Sequence, residues 1–243
     1  MSEKRIIPCL VIGDGHVVRG FSQSGSQDAG DPVEHASLCS EAGADELMLF
    51  DISTSDAGRQ RFRAVVRAVA GQLSIPLLVG GGLKSVAAMA EMIELGADKV
   101  AINTAAINDP KLISQAAARF GSGAVMVSVS AKRYADQRGW QPYVGGRREA
   151  TGLDAVSWAR DAEQRGAGEL LVTSIDGGGT QQGYDLGLTR AVVDTVSIPV
   201  IAAGGAGCVE DFAEVFTFGG ADAALAISLF HDNPLSITQI KQT

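Results

Sequence analysis

Residues 75–86, IPLLVGGGLKSV, and residues 198–209, IPVIAAGGAGCV, decide the fold of this chain. Each is a short aliphatic run that ends in glycines and leads into a stretch suited to start a helix. The offset between them is 123 residues, and the same offset relates residues 41–53, EAGADELMLFDIS, to residues 164–176, QRGAGELLVTSID. After one inserted residue, GADKVAINT from Gly96 aligns with GADAALAIS from Gly220. Repetition on this scale means two similar halves, each carrying its own ligand end.

Working outward, eight such aliphatic runs recur: Ile6 to Val11, Leu47 to Asp51, Ile75 to Val79, Val100 to Asn103, Ala124 to Val129, Leu170 to Ser174, Ile198 to Ala202 and Ala223 to Ile227. Continuous apolar runs suit strands buried on both faces, and a helical stretch after each implies parallel strands joined by right-handed crossovers. The expected fold is therefore α/β, a single (β/α)₈ TIM barrel over residues 1–243 built from two half-barrels. The least regular stretches are Phe21 to Gly30 and Ala135 to Ala150, both on the face where such barrels bind ligands. The final helix reads as short, which predicts a weakly closed barrel seam.

Hydrophobic residues make up 46% of the 243 and aromatics only 5%, with 30 glycines, enough apolar material for one large core rich in tight turns. A net charge of −8 gives no basic stripe, so nucleic acid is not an expected partner, and any anionic ligand needs local donors. No apolar run reaches the ~18 residues of a membrane span, and MSEKRIIPCL lacks the marks of a signal peptide, so a cytoplasmic location without membrane partners is expected. Cys9, Cys39 and Cys208 are widely separated and adjacent to no histidine, which predicts small buried or partly buried thiols rather than a disulfide or metal site. No cofactor is expected. His16, His35 and His231 form no sequence cluster and read as loop or solvent residues; Asp14 belongs to an Asp-Gly turn.

Phosphates in this architecture sit on glycine backbone amides beyond the strand ends. Two matched sites are available: Gly80, Gly81 and Gly82 with Asn103 and Thr104 in the first half, and Gly204 and Gly205 with Ser228 in the second. Glycine allows close backbone approach, and the Thr104 and Ser228 hydroxyls add donors at equivalent positions. Glycines after strands can also serve only to turn the chain, but duplication at equivalent places argues against that. A third run, Asp176 to Thr180 with Gly179, could serve the same ligand.

At these residues the chain resembles the cyclase subunits of imidazole glycerol phosphate synthases over nearly its whole length. The resemblance rests on RIIPCL, DGHVVRG, GDPVE, DELMLFDI, VGGGLKS, GADKVAINTAA, GYD and GGAG, in that order. It implies a barrel docked to a glutaminase, whose ammonia crosses the barrel to a doubly phosphorylated aminoimidazole carboxamide ribonucleotide. The phosphate positions it implies are Gly82, Asn103, Thr104, Gly179, Gly205 and Ser228. Arg19 stands where the family usually has a loop lysine. The resemblance also implies two essential aspartates at the ends of strands 1 and 5, but those positions hold Val11 and Ser130, and Gly178 replaces a further aspartate. Asp51 and Asp176 are the remaining candidate catalytic acids; their plainer reading is as acceptors for loop amides.

Four charged residues, Arg5, Glu46, Lys99 and Glu169, begin strands 1, 2, 4 and 6. Pointing inward they must pair; otherwise they simply face solvent. The resemblance implies the first arrangement, an ammonia gate, with Asp98 at the partner interface. Three readings follow. The first is a diverged barrel passing ammonia to another phosphorylated acceptor, with parent cyclase activity changed or lost. The second is an authentic cyclase of histidine biosynthesis using other acids. The third is a scaffold that activates a glutaminase and hands ammonia to a further amidotransferase.

Overall fold

A computed structural model describes residues 4–19, 28–232 and 236–242. In chain order its strands are β1 (Arg5–Gly13), β2 (His16–Val18), β3 (Asp28–Gly30), β4 (Leu47–Asp51), β5 (Leu77–Gly80), β6 (Lys99–Ile102), β7 (Val125–Arg133), β8 (Trp140–Val144), β9 (Glu149–Ala150), β10 (Glu169–Ser174), β11 (Val200–Ala203) and β12 (Ala223–Ala226). Eight of them, β1, β4, β5, β6, β7, β10, β11 and β12, pair in parallel, and the ring closes where β12 returns to β1 and β7 meets β10. This is the expected (β/α)₈ barrel.

Alternation along each strand sorts side chains into two cores. Ile7, Cys9, Met48, Leu78, Ala101, Met126, Leu171, Ile201 and Leu225 form the inner cluster. Ile6, Leu10, Leu47, Leu49, Val79 and Val127 point the other way and join helix residues such as Phe62, Met89, Trp158 and Phe212. Two-sided burial is why the strands read as unbroken apolar runs.

β5 and β11 begin two residues later than the sequence suggests. Pro76 and Pro199 stand at those points and have no N–H for the ladder; only their carbonyls take part, accepting from the Leu47 and Leu170 amides at 3.0 Å each. Five of the helices that follow strands start on side-chain caps. Asp31, Ser55, Ser85, Asp154 and Asp185 each accept a first-turn amide, so these helix N-termini sit on the face where the strands end.

Two expectations need correction. The seam is not weak: β1 and β12 pair over four residues from Arg5↔Ala223 to Pro8↔Ala226. The last helix, Ser236–Lys241, is held by buried Ile237 and Ile240, and Thr238 Oγ1 donates to the Ala42 carbonyl at 3.0 Å. Nor is Ala135 to Ala150 irregular. β7 runs past the barrel rim and pairs antiparallel with β8, which pairs in turn with β9. On the other stretch, β3 pairs with β2, while residues 20–27 lie outside the described residues.

Cys208, in the turn after β11 beside Glu210 and Asp211, is exposed, contrary to expectation; Cys9 and Cys39 are buried. Burial pushes both buried thiols up to about 12, so neither yields thiolate near neutrality. A disulfide reagent in slight excess should therefore label one thiol of the native protein, at Cys208, and all three after unfolding. Labelling of Cys9 at a comparable rate in the native state would contradict this packing.

Candidate functional site at the carboxyl ends of the strands

The two glycine turns are the same structure built twice. Gly81 has φ +97°, and a Cβ there would fall 2.2 Å from the Asp51 carbonyl oxygen at the end of β4. Gly204 has φ +88°, and its Cβ would fall 2.5 Å from the carbonyl oxygen of Ser174 at the end of β10. Asp51 and Ser174 are related by the same offset as the glycines, so each half presses a bare backbone against the preceding strand. A side chain at either place would fill the cradle. Gly205 is tighter still: its Cβ would meet the Gly183 carbonyl oxygen at 1.9 Å with φ +114°. Gly205→Ala should consequently cost about 2 kcal/mol or more of stability. Unchanged thermal unfolding of that variant would show that the turn is not so constrained.

Thr104 and Ser228 open matching five-residue helices, Thr104–Asn108 and Ser228–Asp232. The third glycine run joins the second cradle, since a Cβ on Gly177 would lie 3.0 Å from the Gly204 carbonyl oxygen, and Gly179 has open space around it at φ +79°. The cradle residues named by the sequence are thus brought together in two groups. Arg59, which the sequence did not single out, reaches the first: its Nη1 lies 3.8 Å from the Cβ position of Gly82. Its place six residues past the Asp-Ile-Ser stretch of residues 51–53 does not distinguish it from any solvated helix arginine.

Between the cradles, Val11 and Ser130 are buried at the top of the barrel. Val11 continues the inward row of Ile7 and Cys9 on β1 and sits opposite Phe50. Ser130 Oγ is 3.4 Å from Asn103 Nδ2, which also donates to the Tyr143 carbonyl at 3.3 Å, while Asn103 Oδ1 is buried with no partner among the described residues. Asp51 lies out of step with inward Met48 and Phe50, and its Oδ1 accepts from the Ser53 amide at 2.9 Å. Burial raises the Asp51 pKa, against the pull of Ser53 and Arg59. Asp176 is exposed and accepts from the Arg133 amide at 2.8 Å. Both carboxylates accept backbone amides, Asp51 from the loop after β4 and Asp176 from the last residue of β7.

Arg19 is exposed at the rim beyond β2. His16 is exposed too, His35 Nδ1 lies 3.1 Å from the Asp31 carbonyl oxygen, and the His231 side chain is outside the described residues. Asp14 has φ +50° in its turn and pairs with Arg61 at 3.1 Å. The β7–β8 hairpin is fastened to the rim by Trp140, whose Nε1 donates to Asp185 Oδ2 at 3.0 Å and whose ring carries the Arg133 guanidinium 4.5 Å from its centroid.

At the opposite end the four charges are not solvated strand starts. Arg5 binds Glu46 at 2.7 Å and Glu169 at 2.5 Å; Lys99 binds the same two acids at 3.0 and 2.9 Å. The pairs close a ring of alternating sign across the barrel floor. Its acids are 7% and 5% exposed and its bases 22% and 20%, so the ring faces solvent through its cations. A cavity of about 330 Å³ lies against it, lined by Arg5, Lys99, Glu169 and Pro199 among others. Asp98 is exposed beside it, but its Oδ2 already accepts the Leu77 amide at 2.8 Å, and Asp222 does the same for Val200 at 3.0 Å in the other half. Asp98 therefore has a structural task in the fold, whatever else it contacts.

The chain matches the family model described as "Histidine biosynthesis protein" over residues 5–236. It is 51% identical over 243 residues to a protein of Trichormus variabilis named imidazole glycerol phosphate synthase subunit HisF, covering 99% of this chain and 95% of that one. Proteins of the same name from Prochlorococcus marinus and Anoxybacillus flavithermus are each 49% identical, covering 98% and 100% of this chain and 93% and 96% of theirs.

Proposed function

The chain belongs to the histidine biosynthesis protein family, with the HisF subunits as relatives, and from that membership we propose that it is the barrel subunit of a glutamine amidotransferase complex. It binds a doubly phosphorylated, sugar-derived ligand at the two glycine cradles. It receives ammonia from a glutaminase subunit on the opposite face and delivers it to an acceptor other than the ribonucleotide of the parent reaction. The observation that carries this reading is the closed ring of Arg5, Glu46, Lys99 and Glu169 at one end of a barrel whose other end keeps both cradles but has Val11 and Ser130 between them. Ammonia is neutral and small, so a charged ring that opens transiently would admit it while keeping the barrel interior closed to ions.

Each residue then has a task. The bare backbones at Gly81, Gly82, Gly204 and Gly205, with Gly179 beside the second pair, hold the phosphates; Thr104 and Ser228 add hydroxyl donors; Arg19 and Arg59 supply local positive charge in a protein of net charge −8. Asp98 would meet the partner with its free oxygen. The mouth offers no inward carboxylate for proton transfer at Val11 or Ser130, and each such group contributes on the order of 10²–10⁴-fold to a reaction that needs it.

A second reading, an authentic histidine-pathway cyclase, is favoured by identity near one half over almost the full length of the relatives. Assaying the purified chain beside the Anoxybacillus flavithermus relative, with the parent ribonucleotide and an ammonium salt, separates the two. The expected result is ribonucleotide binding with turnover at least about 10²-fold below the relative. Equal turnover would replace the first reading by the second, and glutaminase activation without any ligand-dependent chemistry would point to a scaffold.

A further inference from the structure

We propose that small neutral hydrogen-bonding molecules cross this barrel along one wall, formed by β6, β7 and β10, and that the Ser128 and Thr173 hydroxyls make a binding site for ammonia on that path. The inference rests on the ammonia-delivery reading above and names the route inside the barrel.

Strand alternation fixes which side chains line the interior. On β7 the inward row is Met126, Ser128 and Ser130; on β10 it is Glu169, Leu171 and Thr173, paired across as Leu171↔Ser128 and Thr173↔Ser130. β6 adds Lys99 and Ala101, with Asn103 just past its end. Above the floor ring, the inward rows of the other five strands carry no hydroxyl, amide or charge; on β1 the row reads Ile7, Cys9 and Val11. The hydroxyl and amide side chains of the interior therefore stand on three adjacent strands.

Open space follows the same wall. The cavity under the floor ring is bounded by Gly123 and Gly168, which stand just before β7 and β10. Past the ring, Ala101 and Leu171 keep 5% of their surface each, while Ile7 and Leu78 across the barrel keep none. Next come Ser128, opposite Leu171, and Thr173 one turn of the pleat higher. Neither hydroxyl has a hydrogen-bond partner among the described residues, and neither oxygen is sealed off; the two residues keep 8% and 6% of their surface.

Ammonia is neutral, but it carries three N–H donors and a lone pair, and an unpaired polar molecule is disfavoured in an apolar interior. A hydroxyl answers both, donating to the nitrogen or accepting from an N–H. The apolar rows of β1 and β5 offer neither. A molecule leaving the ring therefore passes Ala101 and Leu171, reaches Ser128, and moves on to Thr173 and Ser130 toward the cradles. There the buried Asn103 Oδ1, which has no partner among the described residues, accepts an N–H. Water shares this chemistry and nearly this size, so both can occupy the wall.

High-resolution crystals of the full chain should show ordered solvent within hydrogen-bond reach of Ser128 Oγ and Thr173 Oγ1, and none beside Ile7 or Leu78. Soaking them in hydroxylamine, a neutral amine one oxygen longer than ammonia, should replace that solvent by two-atom density. Ser128→Val fills the site with methyl groups and should abolish the hydroxylamine density. Should that variant fail to fold, Ser128→Ala removes the hydroxyl without added bulk and should lose the hydroxylamine as well. Xenon under pressure, which occupies dry apolar voids, should stay off this wall. A dry interior, xenon on the wall, or hydroxylamine density that survives substitution would overturn the route. Solvent that hydroxylamine never displaces would overturn ammonia as its occupant and leave a water site. The delivery reading fails on a different result: a docked glutaminase whose ammonia never enters a product, whatever occupies the wall.

Discussion

Placing aspartate at Val11 and Ser130 together should give the barrel an ammonia-dependent cyclisation of the parent ribonucleotide about 10²–10⁴-fold faster than the wild-type chain achieves. Val11 is fully buried on the inward row of β1, and Ser130 is 6% exposed at the end of β7, so both new carboxylates would face the space between the cradles. Each substitution alone buries a carboxylate and should cost stability, by about 1–3 kcal/mol as judged from buried polar groups in proteins. Activity must therefore be measured in the fraction that melts cooperatively. A folded double variant that binds the ribonucleotide and shows no gain would mean that the two positions are not what separates this mouth from the relatives' chemistry, and would turn attention to Gly178.

Truncation of Lys99 to alanine should lower stability by about 2–4 kcal/mol, somewhat below the cost of breaking a fully buried pair, because the Lys99 side chain is 20% exposed. Its loss leaves Glu46 and Glu169 sharing Arg5 alone, with Glu46 Oε2 already lacking a partner among the described residues. In a complex reconstituted with a glutaminase, glutamine hydrolysis should continue while the yield of aminated product per glutamine falls, since ammonia and water can pass a floor that no longer closes. A charge-conserving Lys99→Arg should recover most of both losses. If stability and the product ratio are both unchanged in the alanine variant, the ring neither holds the floor nor governs passage through it.

The amino-acid sequence alone determined the eight-fold repeat, the two halves and the cradles. All three are local properties: an aliphatic run long enough for a strand, and a glycine whose backbone takes positive φ in the turn that follows it. Gly81 and Gly204 announce themselves because no other residue fits against the Asp51 and Ser174 carbonyls. The four floor charges were visible as charges, and the family resemblance implied that they pair, but nothing in their spacing or periodicity did. Arg5 and Glu169 are 164 positions apart, and only the register of β1, β10 and their neighbours puts both acids between both bases. The same holds for the hairpin that lays Gly145 on Thr104: in sequence it is a polar, glycine-rich stretch, and its antiparallel pairing depends on β7 running beyond the barrel rim. Exposure of Cys208 was likewise decided by what surrounds it in space. Periodicity records which face a residue takes; which residue it meets there is settled when the strands close into a barrel and bring distant segments within reach of one another.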